Sequence, residues 1–210
     1  MPDQLTLYMA AQEMVSVQTR YAKKGISLAQ AALCGSQNYI EWQHYPRNDL
    51  VDSESGYEFY YHSHSSEEML NGEHGHFHLF KRDQTHLEKF HHLIGIALDS
   101  KGLPVRIFTT NQWVTGESMA KAPTVLKLLK EFKFSAKGRA SPIARWISSF
   151  VKLFYFEMEN LILKRDQKID QLSIKMGKRS KAIESKKHSV ITQCKINLMD
   201  RLSKHLLAAH

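Results

Sequence analysis

The chain has 210 residues, with 29 Lys and Arg against 21 Asp and Glu, and two cysteines, Cys34 and Cys194. A chain of this length buries a sufficient core without cross-links, so the composition excludes a disulfide scaffold, and the wide cysteine spacing excludes a paired-thiolate zinc site. The first residues lack the basic and apolar regions of a secretion signal, and no window approaches the roughly 18 apolar residues of a membrane span. We therefore expect a cytoplasmic protein with no membrane span.

We predict an α+β fold in one domain over residues 1–210, with an antiparallel sheet of roughly four to six strands and helices at both ends packed on it. Residues 1–36 should form N-terminal helices, and residues 37–118 should form a histidine-rich antiparallel sheet. Residues 119–210 should form a mainly helical basic segment with a late strand at residues 190–198.

The N-terminal part is predicted to hold two helices and one short strand. Apolar residues recur at helical spacing over residues 5–24, Gly25 is placed to end that helix, and residues 27–33 favour a second short helix. Residues 39–42 favour a strand. The turn-forming residues that follow favour an irregular loop, and they include Pro46, Asp49 and Asp52.

Two short runs, residues 57–64 and 74–80, alternate as β-strands do, and each carries histidines on one face. The next apolar run, residues 91–98, suits a central strand, and a turn at 99–102 leads to a strand over residues 105–114. These runs together favour an antiparallel meander of three or four strands.

The C-terminal part is predicted to be mainly helical. Pro123 suits the start of a helix that ends near Phe132, and Ser141 followed by proline suits the N-cap of a long helix. That helix should continue to about Met176 and end at Gly177. Period-two alternation over residues 190–198 then predicts the late strand, and residues 202–209 a short helix.

The pairing register of the two histidine strands decides whether their histidines converge, because directly opposed residues share a face of the sheet. In an even register, the numbers of two opposed residues add up to an even value. Such a register would set His62 opposite His78 and His64 opposite His76. A two-residue turn at Asn71 and Gly72 gives an odd register, which would place a polar face beside an apolar one. We therefore predict an even register and a longer loop over residues 65–73.

Converging imidazoles without thiolates suit a transition metal, since neutral imidazole is the most common metal ligand in proteins. We predict one transition-metal ion, zinc or iron in the first place, bound by His62, His64, His76 and His78.

Other residues are predicted to assist this site. His74 and His92 are candidates for supporting or alternate ligands, and a base for metal-assisted chemistry could come from Glu73 or Glu117. Whether the protein is an enzyme stays open. The alternative is a non-enzymatic protein that senses or stores metal, or that binds a small organic ligand against Tyr60, Trp113 and the histidines.

Two named motifs overlap this region. Gly56, His62, His64, Glu68 and Gly75 match the spacing of the first cupin motif, and that resemblance implies a β-barrel with His62, His64 and Glu68 as ligands. The second cupin motif is missing, and the segment after Glu68 is too polar for the strand that a cupin needs.

The run HGHFHLF at residues 74–80 resembles the signature of histidine-triad nucleotide hydrolases and transferases. In that resemblance His76 would attack a phosphate. The signature leaves His62 and His64 unexplained, so phosphoryl or nucleotidyl chemistry is the least favoured function.

A broader resemblance runs from about Glu41 to Trp146. Four blocks, HYPRND, YYHSH, GEHGHFH and FTTNQWVTGE, resemble those of a bacterial family of uncharacterised proteins. The family pattern has arginine where this chain has Gln112, which argues against an anion site there. The resemblance implies further candidate site residues, namely Asp49, Asp52, Asn111, Trp113 and Glu117, of which Asn111 and Trp113 join Tyr60 as candidate ligand-binding residues.

The positive charge is concentrated in the C-terminal part, because residues 151–210 hold 13 Lys and Arg against 6 Asp and Glu. Such a segment favours an acidic protein partner or is simply a solvated helix surface. Nucleic acid is disfavoured, since residues 164–187 show no regular interleaving of aromatic residues on which bases could stack.

Overall fold

The computed structural model describes residues 2–36, 40–64, 72–86 and 88–207. In this part of the chain, six antiparallel strands form one sheet, and their order in space follows their order in sequence. The strands are β1 (Tyr45–Val51), β2 (Tyr57–His62), β3 (Gly75–Arg82), β4 (Phe90–Leu98), β5 (Pro104–Thr110) and β6 (Val190–Lys195). The α+β prediction and the antiparallel meander are confirmed, whereas the single-domain assignment stays a prediction.

Helices precede the sheet, connect β5 to β6, and follow β6. They are α1 (Gln4–Ala22), α2 (Leu28–Ala32), α3 (Gln112–Thr115), α4 (Ala122–Lys130), α5 (Ser141–Leu153), α6 (Tyr155–Met176), α7 (Arg179–Ile183) and α8 (Leu198–Leu207). The Asp3 carboxylate caps α1 by accepting the backbone N–H of Thr6, and Ser27 forms a capping box with Gln30 at α2. None of these helices combines the length and the apolar character that a membrane span needs.

The first strand corrects the prediction. Glu41 and Trp42 form a turn, and Tyr39 lies outside the described residues, so no strand is seen at 39–42. The strand is instead β1, in the stretch predicted as an irregular loop. Pairing with β2 overrides the local turn preference, and a register shift between Tyr45 and Leu50 accommodates proline and the turn formers at the sheet edge.

The even register of the histidine strands is confirmed, because Tyr60 lies opposite His78 and His62 lies opposite His76. The predicted partner of each histidine was wrong, since it assumed a register displaced by two residues. Whether the register is even or odd decides which face of the sheet the histidines share. The register is even, so the histidines still converge. Most of the predicted loop over residues 65–73, including Asn71, lies outside the described residues.

Two further boundaries differ from the prediction. β5 ends at Thr110, because the Asn111 side chain accepts the backbone N–H of Gln112 at 3.0 Å and starts α3. The single long helix is instead two helices separated at Phe154, where Arg201 of α8 donates to the Leu153 carbonyl at 3.0 Å. Gly177 ends α6 in the left-handed region, as predicted, and β6 forms close to the expected place.

The sheet has two unlike faces. One is the main core, where Phe59 and Phe77 of the sheet meet Phe134 and Trp146 from the helical part. The other, which we call the histidine face, carries Tyr60, His62, His76, His78, Phe80 and Phe108. The sheet is open in the described part of the chain, with β1 and β6 at its edges, and is therefore unlike the barrel that a cupin resemblance implies.

Candidate metal centre

Three buried histidines approach one another on the histidine face. Each of His62, His76 and His78 offers a ring nitrogen, and the three nitrogens lie within 4.8 Å of one another. The residues are 9%, 7% and 2% exposed. They come together because His62 and His76 are a directly opposed pair, while His76 and His78 are alternate residues of one strand.

The closest contact joins His62 Nε2 and His76 Nε2 at 2.7 Å. Without a metal, one of these nitrogens must carry a proton and donate it to the other. Two nitrogens bound to one tetrahedral zinc at 2.0 to 2.1 Å are roughly 3.3 Å apart, so the rings need to separate by only about half an ångström to share an ion.

His64, the fourth predicted ligand, lies at the border of this group. Its ring centroid is 4.9 Å from that of His62 and 5.1 Å from that of His76. Trp42 contacts it edge-on at 4.1 Å on the more exposed side. His64 is therefore beside the three-histidine group without belonging to its tightest set.

Burial keeps the cluster neutral. Desolvation, with repulsion from His64 and His44, lowers the pKa of His62 to about 3. The pKa values of His76 and His78 are also lowered well below the ordinary range, again chiefly by burial and then by the neighbouring histidines. A neutral imidazole has a free lone pair, which is the form that binds a metal.

His92 extends the cluster through a chain of hydrogen bonds. Its Nε2 lies 2.9 Å from His78 Nδ1, and its Nδ1 lies 3.1 Å from Thr110 Oγ1. Burial lowers the pKa of His92 to about 3. If His78 offers Nε2 to a metal, its Nδ1–H donates to His92 Nε2, and His92 in turn donates Nδ1–H to Thr110. This arrangement fixes the tautomers of both rings.

A register shift in β4 places His92 there. The pairing passes from Leu79 opposite Ile94 to Phe80 opposite His92, which leaves Leu93 as the extra residue. Without the shift Leu93 would take this position on the histidine face. The sequence predicted His92 as a supporting or alternate ligand, but not its place on this face, because a bulge of this kind leaves no clear mark in the sequence.

Phe108 packs beside the cluster from β5. Its ring stands edge-on to His76 at 5.2 Å and to His78 at 5.7 Å. The ring lies across Gly95, where an added Cβ would come within 2.4 Å of it. The missing side chain at Gly95 is thus what allows Phe108 to reach the histidines.

Tyr60 and His44 line the other side of the site. Their rings stack at 3.7 Å, and the Tyr60 ring meets His62 edge-on at 5.3 Å. His44 Nδ1 lies 2.9 Å from Asp49 Oδ1. Burial, with the nearby carboxylates of Asp49 and Glu58, raises the pKa of Tyr60. Taken alone in the sequence, His44 gave no signal, because β1 was not expected to bring it here.

The two predicted bases lie in different surroundings. Glu73 forms a two-point ion pair with Arg106, at 2.5 and 2.8 Å, and the guanidinium lies over the Phe108 ring. Glu117 is 3% exposed and accepts the backbone N–H of His92 at 2.7 Å. Burial raises the pKa of Glu117 to about 7, and its Oε1 has no partner among the described residues.

Three other predicted residues contact the backbone elsewhere. Asn111 donates to the Ala182 carbonyl at 3.0 Å, and Trp113 donates to the His188 carbonyl at 3.2 Å. Asp52 accepts the backbone N–H of Ser135 at 3.0 Å. These contacts hold loops in place. A role of Asn111 or Trp113 in ligand binding stays a prediction.

Comparison with known proteins gives a family without an activity. A family model described as "Domain of unknown function (DUF6969)" matches residues 8–196. Neither the curated proteins nor the solved structures contain a match to the chain. The function is therefore inferred from the site itself.

Proposed function

The chain belongs to the DUF6969 family, a domain of unknown function, and we propose from its site that it binds one transition-metal ion through His62, His76 and His78. The observation that carries this proposal is the convergence of three buried, neutral imidazoles within 4.8 Å on two adjacent strands. His64 is proposed as a fourth ligand, because its ring lies beside those of His62 and His76, at 4.9 and 5.1 Å between centroids.

The donor set supports zinc or iron. Imidazole nitrogens without thiolates suit both metals, and zinc is commonly held by three or four protein ligands. A role in packing alone explains the cluster less well, since burying several imidazoles is unfavourable unless each polar atom finds a partner, and a shared ion would satisfy the converging nitrogens together.

An enzymatic role is supported by the partly exposed side of the site. The His44 side chain is 38% exposed, and Asp49 holds its Nδ1, which leaves Nε2 as the nitrogen that would act as a base. A bound metal would supply Lewis acidity or an activated water at this point. We propose His44 as the base, ahead of Glu73, whose charge is matched by Arg106, and Glu117, which lies behind His92.

A non-enzymatic metal site is the second candidate. The low exposure of His62, His76 and His78 favours it, because structural and storage sites are closed to solvent, whereas catalytic sites keep an open position. An exchangeable water molecule on the bound ion is expected for a catalytic site and not for a closed one, so its detection distinguishes the two candidates.

Metal analysis of protein purified without a histidine tag tests the proposal. We expect close to one equivalent of zinc or iron, X-ray absorption showing three or four nitrogen ligands, and loss of the metal in the variant His62→Ala with His76→Ala. His86→Ala is the matched control, since His86 is exposed and pairs with Asp83 outside the site. Only trace metal, with unchanged metal uptake in the double variant, would refute the proposal.

A further inference from the structure

β6 leaves one edge of the sheet open. In the described part of the chain it pairs with β5 alone. Ile196 donates its backbone N–H to Val105 at 3.0 Å, so the alternation of a strand turns the backbone groups of Gln193 and Lys195 away from β5. Such outward N–H and C=O groups are a template on which another strand can pair.

A groove runs beside this edge. It has a volume of about 730 Å³ and lies between β6 and one side of α6. Its helical wall consists of residues at three- and four-residue spacing, among them Phe156, Asn160, Lys164, Lys168 and Gln171. This stretch of helix is roughly 22 Å long, and the six residues of β6 extend roughly 20 Å. The groove thus has the length of one short extended segment.

The opposite edge of the sheet is unsuited to the same use. β1 contains Pro46, which has no N–H to donate, and its pairing shifts between Tyr45 and Leu50. Proline and bulges are features by which proteins prevent pairing at an edge strand. β6 has no proline, and its register shift, opposite Thr109 and Thr110, leaves residues 192–195 in regular pairing, so this edge is the better suited of the two to accept a strand.

The charge of the groove indicates what kind of segment fits. Lys164 and Lys168 are exposed on its wall, and the Glu157 carboxylate that also lines it is already paired with Arg201. Lys168 Nζ donates to the outward carbonyl of Ile191 at 2.7 Å. The Ile191 end of the edge is therefore taken by a cation, which leaves the backbone groups of Gln193 and Lys195 for pairing and places a positive charge beside them.

We propose that this groove binds an extended acidic segment of a partner protein, which pairs with the outward edge of β6 and places carboxylates against Lys164 and Lys168. A strand lying between a sheet edge and a helix is a recurrent mode of peptide recognition, in which backbone hydrogen bonds give affinity and side chains give specificity. This groove would be the binding site for the acidic protein partner that the charge of the C-terminal part predicts. The proposal is independent of the metal centre.

The test uses the full chain and a fluorescent ten-residue peptide in which glutamate alternates with valine. We expect saturable binding by fluorescence anisotropy, at least tenfold weaker in the variant Lys164→Glu with Lys168→Glu and at 0.5 M salt. Lys175→Glu with Lys178→Glu is the matched control, because it makes the same two charge reversals at exposed positions outside the groove. Amide hydrogen exchange of residues 190–196 should slow when the peptide is added.

Backbone pairing is tested separately with a peptide that is N-methylated at alternate residues. One of the two alternate patterns should abolish binding and the other should not, because only one edge of the peptide faces β6. Equal binding of a lysine-for-glutamate peptide, or no effect of the groove variants, would overturn the proposal. Concentration-dependent dimerisation that protects residues 190–196 without peptide would also overturn it, in favour of a second copy as the occupant.

Discussion

At the scale of single residues, the buried histidines depend on one another for their protonation state. A metal-binding imidazole usually donates its second ring N–H to a neighbouring acceptor, which orients the ring and raises its basicity. His92 is in position to accept from His78, and Thr110 is in position to accept from His92. His92 is therefore a positioning residue for the metal centre that we propose, although it contributes no ligand atom.

His92→Ala should weaken zinc affinity by about 10- to 100-fold, the usual effect of removing an outer-shell partner. His92→Gln should retain more affinity, because its side-chain oxygen can accept from His78 Nδ1. The neighbouring His91→Ala is the control, since His91 contacts the Ser118 carbonyl instead. Competition titration against a chelator measures the affinities. Equal affinity in the alanine and wild-type proteins would remove His92 from the site.

The raised pKa of Glu117 predicts how the stability of the protein changes with pH. Burial raises that pKa from 4.5 to about 7, so folding favours the protonated form. The resulting stability is fully present below about pH 4.5 and is lost as pH rises through about 7.

Glu117→Gln cannot ionise and should be more stable than the wild type at pH 8, by at most about 3 kcal/mol, and similar to it at pH 4. Chemical denaturation of both proteins from pH 4 to 8 measures the difference. The titrating histidines are common to both proteins and cancel in this comparison. Parallel pH profiles would contradict the prediction.

At the scale of strands, Gly95 and Phe108 couple β4 and β5 to the histidines. A methyl group at position 95 would come within 2.4 Å of the Phe108 ring and force it to move. Gly95→Ala should therefore destabilise the protein by roughly 1–3 kcal/mol, the usual range for overpacking a core, and should loosen His76 and His78. Thermal unfolding measures the loss. Phe108→Leu should restore part of it in the double variant, whereas additive losses would show that the two residues do not interact.

The sheet also shows how much of the site the sequence could predict. Alternation in the two histidine strands predicted their shared face, because a one-residue slip would have put polar side chains against apolar ones. To predict which residues pair, the length of the connecting loop must be known. Matching the polar and apolar faces of the two strands does not give that length. β1 and the bulge at Leu93 depend on tertiary pairing that overrides local preference. His44, which β1 delivers, was consequently missed, whereas His92 was predicted as a supporting or alternate ligand without the bulge that places it.

At the scale of the whole molecule, a metal bound by His62, His76 and His78 links β2 to β3 at the end where the chain passes from one strand to the other. Because this geometry exists only in the folded chain, binding should shift the unfolding equilibrium. At a free zinc concentration 100 times the Kd, the stabilisation is about 2.7 kcal/mol. For a chain of this size it corresponds to a rise in Tm of roughly 5–10 °C.

Chelator-treated protein should therefore melt at lower temperature than zinc-loaded protein, and readdition of zinc should restore the Tm. The variant His62→Ala with His76→Ala should show no response to zinc, whereas His86→Ala should respond as the wild type does. Circular dichroism at 222 nm follows the unfolding of the helices, of which the longest, α1, α5 and α6, pack in the main core with Phe59 and Phe77. A full zinc response in the double variant would mean that the metal binds elsewhere on the chain.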